Sequence, residues 1–183
     1  MERTRIVFSG SGGQGVITAA IILAEAAVIK EGMEAVQSQS YGAAARGGAT
    51  RSDIILSDEP INYPGILQPD ILVCLTQSVY TQYAGIIRPG GLLLTDPRFV
   101  KPAKEADAYQ VCVPIYDMVM EKIGKPIVFN ISMLGTLFGI RPLFNPDSLM
   151  EVIAERVPKG FVELNKKAFT LGLELGEKYR QNF

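Results

Sequence analysis

The stretch Gly10-Ser11-Gly12-Gly13-Gln14-Gly15 places four glycines within six positions, between an apolar run and a segment of helical periodicity. It satisfies the pattern G-x-G-x-x-G in the strand–turn–helix context that the pattern's chemistry requires. Glycine admits positive φ and lets a ligand come close to the backbone. The start of a helix points unpaired N–H groups and the positive end of its dipole at the same place. An anionic group, most often phosphate, is the natural occupant. The alternative is a tight strand-to-helix turn with nothing bound.

A dinucleotide site of the Rossmann type also needs an acidic residue at the end of the second strand, about 20 positions on. Glu34 lies near that offset by counting, but the pattern puts it at the start of strand two, whose end carries Ser38, Gln39 and Ser40. The topological criterion fails. A Walker-type phosphate loop fails as well, because no Lys-Ser or Lys-Thr follows the glycines.

The second unusual stretch is QSQSYGAAARGGATR, residues 37–51. If strands one and two are parallel neighbours, this loop emerges at the same sheet edge as the glycine turn, where α/β folds bind ligands. Arg46 could then clamp a phosphate or carboxylate with its planar fork, with Gln39 and Tyr41 hydrogen-bonding or stacking. A surface loop with a solvated arginine is the other reading. Arg51, on the polar face of an alternating strand, is expected to be solvated. Asp96 and Thr76-Gln77 follow buried strands. They fit turns as well as a ligand edge. Asn130 fits a helix cap or a contact with a partner.

The rest of the composition bounds the chemistry. The 183 residues include no histidine, which removes the usual general base and the commonest metal ligand. Hydrophobic residues make up 48% and charged residues 20%, the balance of a chain with a packed core. A formal net charge of −1 without a basic block argues against nucleic-acid or anionic-membrane binding. Cys74 and Cys112 sit in apolar runs and read as buried free thiols in a reducing compartment. No apolar run approaches the roughly 18 residues of a membrane span, and no signal-peptide core precedes the first strand. A cytoplasmic protein is the expectation.

The elements that position these residues follow from periodicity. Buried strands are expected at residues 3–8, 71–75, 92–95 and 111–113, and a further strand at 33–40. An alternating strand at 50–56 introduces an antiparallel component. Helices are expected at 16–30, 78–86, 115–123, 130–138 and 148–157, the last capped by Asp147 or Ser148. A final amphipathic helix over 160–179 carries Phe161, Leu164, Ala168, Leu171 and Leu175 on one stripe. The alternation predicts a single α/β domain over residues 1–183: a mostly parallel mixed sheet flanked by helices, with a Rossmann-like first βα unit.

Taken together, Ser9-Gly10-Ser11-Gly12-Gly13-Gln14-Gly15-Val16, then Ser40-Tyr41-Gly42 with Arg46-Gly47-Gly48, then Asn130 five residues before Gly135, resemble the gamma subunit of 2-oxoacid:ferredoxin oxidoreductases over roughly residues 3–178. The glycine motif looks most like the 2-oxoglutarate type, with pyruvate, ketoisovalerate and indolepyruvate relatives as alternatives. The resemblance implies a complex that converts a 2-oxoacid and coenzyme A to an acyl-CoA and CO2 and passes two electrons to ferredoxin. It implies partner alpha and beta subunits, with a ferredoxin-like delta subunit in some members. Thiamine diphosphate, magnesium and iron–sulfur clusters are expected in those partners, since this chain has neither a Cys-x-x-Cys cluster motif nor a Gly-Asp-Gly motif. The gamma chain's implied part is coenzyme A binding and closure over the active site, with Gly10, Gly12, Gly13, Gln14, Gly15, Tyr41, Arg46 and Gly47 as the site. The isolated chain is expected to be inactive. Many relatives carry an acidic residue between Tyr-Gly and Arg-Gly-Gly, where this sequence has Ala43-Ala44-Ala45. Two other readings stay open on the residues alone: a free-standing dinucleotide-binding oxidoreductase, and a purely architectural subunit whose glycine turn packs against a partner.

Overall fold

A computed structural model describes residues 3–41, 48–103 and 106–180. These residues form a six-stranded sheet with α-helices on both faces. The strands are β1 (Thr4–Ser11), β2 (Glu34–Tyr41), β3 (Ala49–Ser57), β4 (Ile71–Cys74), β5 (Gly91–Thr95) and β6 (Ala108–Cys112). Their order is β2-β3-β1-β4-β5-β6. β1, β4, β5 and β6 pair in parallel, whereas β3 is antiparallel to both β1 and β2. The mixed α/β architecture matches the expectation from sequence.

Strand character explains the placement. β4 (ILVC) and β5 (GLLLT) are buried on both faces, as central parallel strands must be. β3 begins with an alternating pattern, consistent with a flanking antiparallel position. Residues alternate between two cores. Ile6 and Phe8 face the larger core, whereas Val7, between them, faces the smaller one with Leu72 and Leu93.

The larger core is covered by α1 (Val16–Glu25), α3 (Ile115–Lys122), α4 (Phe129–Ile140), α5 (Pro146–Arg156) and α6 (Val162–Glu177). α2 (Gln77–Tyr83) covers the smaller core through Val79 and Tyr80. α1 continues as a π-turn over Ala26–Lys30 and ends at Gly32, φ 67°. Every residue of α4 is buried, because the helix packs against α1, α3 and α6. α4 and α6 cross with their backbones touching. A Cβ on Gly135 or Gly139 would strike the carbonyls of Phe169 and Leu173, and one on Gly172 or Gly176 those of Ser132 and Thr136.

This crossing corrects the expected apolar stripe of the last helix. Ala168, Phe169, Gly172, Leu175 and Gly176 form the buried face, whereas Phe161 is exposed and Leu171 is half-buried. α5 is capped by Asn145, whose side chain accepts from the Asp147 N–H, and not by Asp147 or Ser148. Pro146 takes the first helical position, where its missing donor costs nothing. Strands one and two are not neighbours, since β3 lies between them. They still run in the same direction, so both loops emerge at one edge: Ser11 pairs with Ala49, and Tyr41 with Thr50.

Candidate functional site at the glycine turn

The turn is built by the residues that the pattern singles out. β1 runs through Gly10 to Ser11, so the turn proper is Gly12–Gly15. A side chain on Gly10 would lie 2.5 Å from Gln14 Oε1 and 2.9 Å from Val16 Cγ2, so this glycine lets α1 pack onto the strand. Gln14 staples the turn from within. Its Oε1 accepts from the Ser11 N–H at 2.8 Å, and its Nε2 donates to the Leu75 carbonyl at 3.0 Å, just past β4. Gly13 and Gly15 hold φ of 96° and 72°, where a side chain is strained. Gly15 is the N-cap of α1 and supplies no side-chain cap, so the helix's first N–H groups are left for another acceptor.

The two loops meet at this point. The Gly12 N–H donates to the Gly48 carbonyl at 3.3 Å. Arg46 and Gly47 lie outside the described residues, and Tyr41 closes β2 opposite Thr50.

Above the turn opens a cavity of about 630 Å³, within the usual range of small-molecule sites. Gly13, Gln14 and Gly15 form its floor, while Gly10 and Gly12 are not in its lining. Thr18 continues the floor along α1. The walls are mostly apolar and come from segments far apart in sequence: Phe99 after β5, Tyr116 on α3, Ile127 to Ile131 at the start of α4, and Val157, Pro158 and Phe161 before α6. Phe99, Tyr116 and Phe129 pack edge to face, with ring centroids 5.3 to 5.8 Å apart. Among the described residues, no charged side chain is in the lining. Arg98 lies nearby, its guanidinium 5.6 Å from the centroid of the Tyr116 ring.

Asp96 sets the aromatic wall. It is fully buried; its Oδ1 accepts from the Arg98 N–H at 2.8 Å and its Oδ2 from the Tyr116 N–H at 2.7 Å. Burial holds its carboxyl above the ordinary carboxylate range, opposed by these backbone donors. It is the turn residue that the Asp-Pro pair suggests. Thr76 caps α2, and Gln77 Oε1 accepts from the Lys101 N–H.

Four other residues depart from expectation or refine it. Arg51 is not solvated: its guanidinium bonds both oxygens of Asp53 at 2.6 and 2.9 Å and lies over the Tyr83 ring. Asn130 neither caps α4 nor faces outward. It sits in the first turn of the helix, and its Nδ2 donates to the Gly15 carbonyl at 3.3 Å. Cys74 is buried, with its thiol pushed up to about 12 by desolvation, whereas Cys112 is only half-buried. A thiol held protonated is neither a nucleophile nor a ready metal ligand.

Fold and cavity together define an α/β domain whose prospective ligand site lies at the carboxyl edge of the sheet, over a glycine turn and a helix N-terminus. The chain belongs to the pyruvate ferredoxin/flavodoxin oxidoreductase family, whose model matches residues 5–175. It is 43% identical to the 2-oxoglutarate synthase subunit KorC of Methanocaldococcus jannaschii, over 96% of this chain and 95% of that protein. Its fold superposes with a TM-score of 0.89 on the gamma subunit of a keto/oxoacid ferredoxin oxidoreductase from Geobacter sulfurreducens, at 38% identity and covering 99% and 100% of the two chains. A 2-oxoglutarate:ferredoxin oxidoreductase from Magnetococcus marinus, solved with 2-oxoglutarate, coenzyme A and succinyl-CoA bound, contains the same fold. The TM-score is 0.87 at 22% identity, over 97% of this chain and 32% of that one. The protein is therefore a gamma subunit of a 2-oxoacid:ferredoxin oxidoreductase, one part of a multisubunit enzyme.

Proposed function

We propose that this subunit supplies the coenzyme A side of the active site, with the glycine turn receiving the diphosphate and the aromatic-walled cavity the uncharged pantetheine arm. The observation that carries this reading is the cavity itself: its floor is a helix N-terminus with unsatisfied donors, and its walls are apolar. One end suits an anion and the other an apolar chain. The bound coenzyme A of the Magnetococcus enzyme supports the choice of ligand. Because the described lining residues include no cation, Arg46 is the residue proposed to complete the phosphate site, with Tyr41 and Gly47 beside it. The Gly12–Gly48 hydrogen bond brings the end of that segment to the turn.

In this reading the chain binds and orients coenzyme A, excludes water with Phe99, Tyr116 and Phe129, and holds no redox centre. Thiamine diphosphate, magnesium and the iron–sulfur clusters belong to the alpha, beta and delta partners, which pass electrons to ferredoxin in the cytoplasm. Similarity to KorC makes 2-oxoglutarate the proposed substrate of the complex. The test is calorimetric titration of coenzyme A into the chain alone and into the reconstituted complex. Binding in either that weakens in Arg46→Ala supports the proposal. No binding in both leaves an architectural subunit, and nicotinamide or flavin binding by the isolated chain would point to a free-standing dinucleotide enzyme.

A further inference from the structure

The opposite end of β1 carries a second concave site. Arg3, Thr4, Arg5, Asp70, Arg88 and Arg141 line a cavity of about 320 Å³, at the small end of ligand cavities. Among the described residues, four arginines and one carboxylate thus line the site, in a chain whose formal charge is −1. Asp70 organises two of them. Its Oδ1 pairs with Arg88 Nε at 2.6 Å; its Oδ2 accepts from the Arg5 N–H at 2.7 Å and lies 3.8 Å from the Arg5 guanidinium. One carboxylate cannot occupy the five donors of each guanidinium, so both arginines keep donors to spare. Arg3 donates to the Pro60 carbonyl at 3.4 Å.

Arg141 is the informative member. It follows the last residue of α4 and is half-buried. Among the described residues its guanidinium makes no hydrogen bond or ion pair. A half-buried charge left unpaired beside three like charges is unfavourable unless something of opposite sign joins them. Arginine forks match the geometry of tetrahedral and planar oxyanions, and a doubly charged anion would balance most of the excess.

We infer that this cavity binds a doubly charged oxyanion of the phosphate class, either free or as the phosphoryl group of a small metabolite. The site is separate from the glycine turn, roughly 20 Å away along β1 at about 3.3 Å per residue. It stands whether or not the coenzyme A reading does.

Thermal unfolding and calorimetry of the full chain, in phosphate and in chloride of matched ionic strength, test the inference. Phosphate should raise the midpoint saturably where chloride does not. Arg141→Gln should weaken phosphate binding at least tenfold while leaving the midpoint in chloride unchanged or higher, because that side chain pairs with none of the described residues. Glycerol 3-phosphate separates the two sources: binding as tight as phosphate means a phosphoryl group on a larger molecule, and binding of phosphate alone means the free anion. An equal response to chloride overturns the inference, as does an Arg141→Gln chain that binds phosphate as tightly as the parent.

Discussion

The side-chain amide of Asn130 donates to the carbonyl of Gly15 at 3.3 Å and fills the space that a side chain on Gly15 would need. This contact locks the first turn of α4 to the glycine turn that opens α1, across 115 residues of sequence. The two helix starts that form the floor and one wall of the cavity are therefore a single unit.

Gly15→Ala should destabilise the chain by about 2–4 kcal/mol, because positive φ and a clash with Asn130 act together. Gly13→Ala is the control. Its φ is also positive, but no atom lies within 4 Å of the added carbon, so a smaller loss of about 1 kcal/mol is expected. Urea unfolding of both variants checks this. Asn130→Ala in the Gly15→Ala background should recover part of the loss, and equal costs for Gly13→Ala and Gly15→Ala would refute the packing argument.

The α4–α6 crossing gives a second expectation. Gly172→Ala or Gly139→Ala drives a methyl group into the backbone of the facing helix, which has no side chain to move aside. About 3 kcal/mol or more should be lost. Gly160→Ala, which meets nothing within 4 Å, should be within about 0.5 kcal/mol of the parent. Calorimetric unfolding midpoints distinguish the three variants.

The same crossing shows why some features could be read from sequence and others could not. β4 and β5 were legible because burial on both faces leaves a continuous apolar run. β3 was legible because its alternation records one wet and one dry face. The glycine turn was legible because backbone conformation dictates residue type locally. Gly135, Gly139, Gly172 and Gly176 gave no such signal: each pair is explained only by the other helix. Arg51 misled for the same reason. Its strand pattern says polar, while Ile66 and Tyr83, which enclose it, come from separate segments. The aromatic wall of Phe99, Tyr116 and Phe129 is likewise assembled from three places, and only the topology brings them together.

Asp96 gives a pH dependence. Its folded-state pKa is raised by burial, with Asp117 adding a smaller push in the same direction. The folded chain thus holds this proton more tightly than the unfolded chain. The stability owed to the protonated form is fully present below the unfolded carboxylate pKa of about 3.9 and is lost as pH rises through the higher folded value. Compared with Asp96→Asn, the parent should lose relative stability as pH increases across that window. Denaturant melts of both proteins at a series of acidic pH values test this, and a difference that stays flat or grows with pH would contradict it.

Ile127 separates the coenzyme A reading from a purely structural role for the cavity. It lines the cavity yet is 73% exposed, so Ile127→Ser removes apolar surface at the mouth without opening the core. The stability of the chain should change by less than about 0.5 kcal/mol. If the pantetheine arm lies across this residue, losing the contact should cost about 1 kcal/mol of binding, equivalent to a KM for coenzyme A raised about fivefold in the reconstituted complex. The KM for the 2-oxoacid should stay constant, because the chain carries no part of that pocket in this reading. A change in subunit assembly with coenzyme A kinetics unaltered would move Ile127 from the ligand to a partner interface, and would count against the cavity as the coenzyme A site.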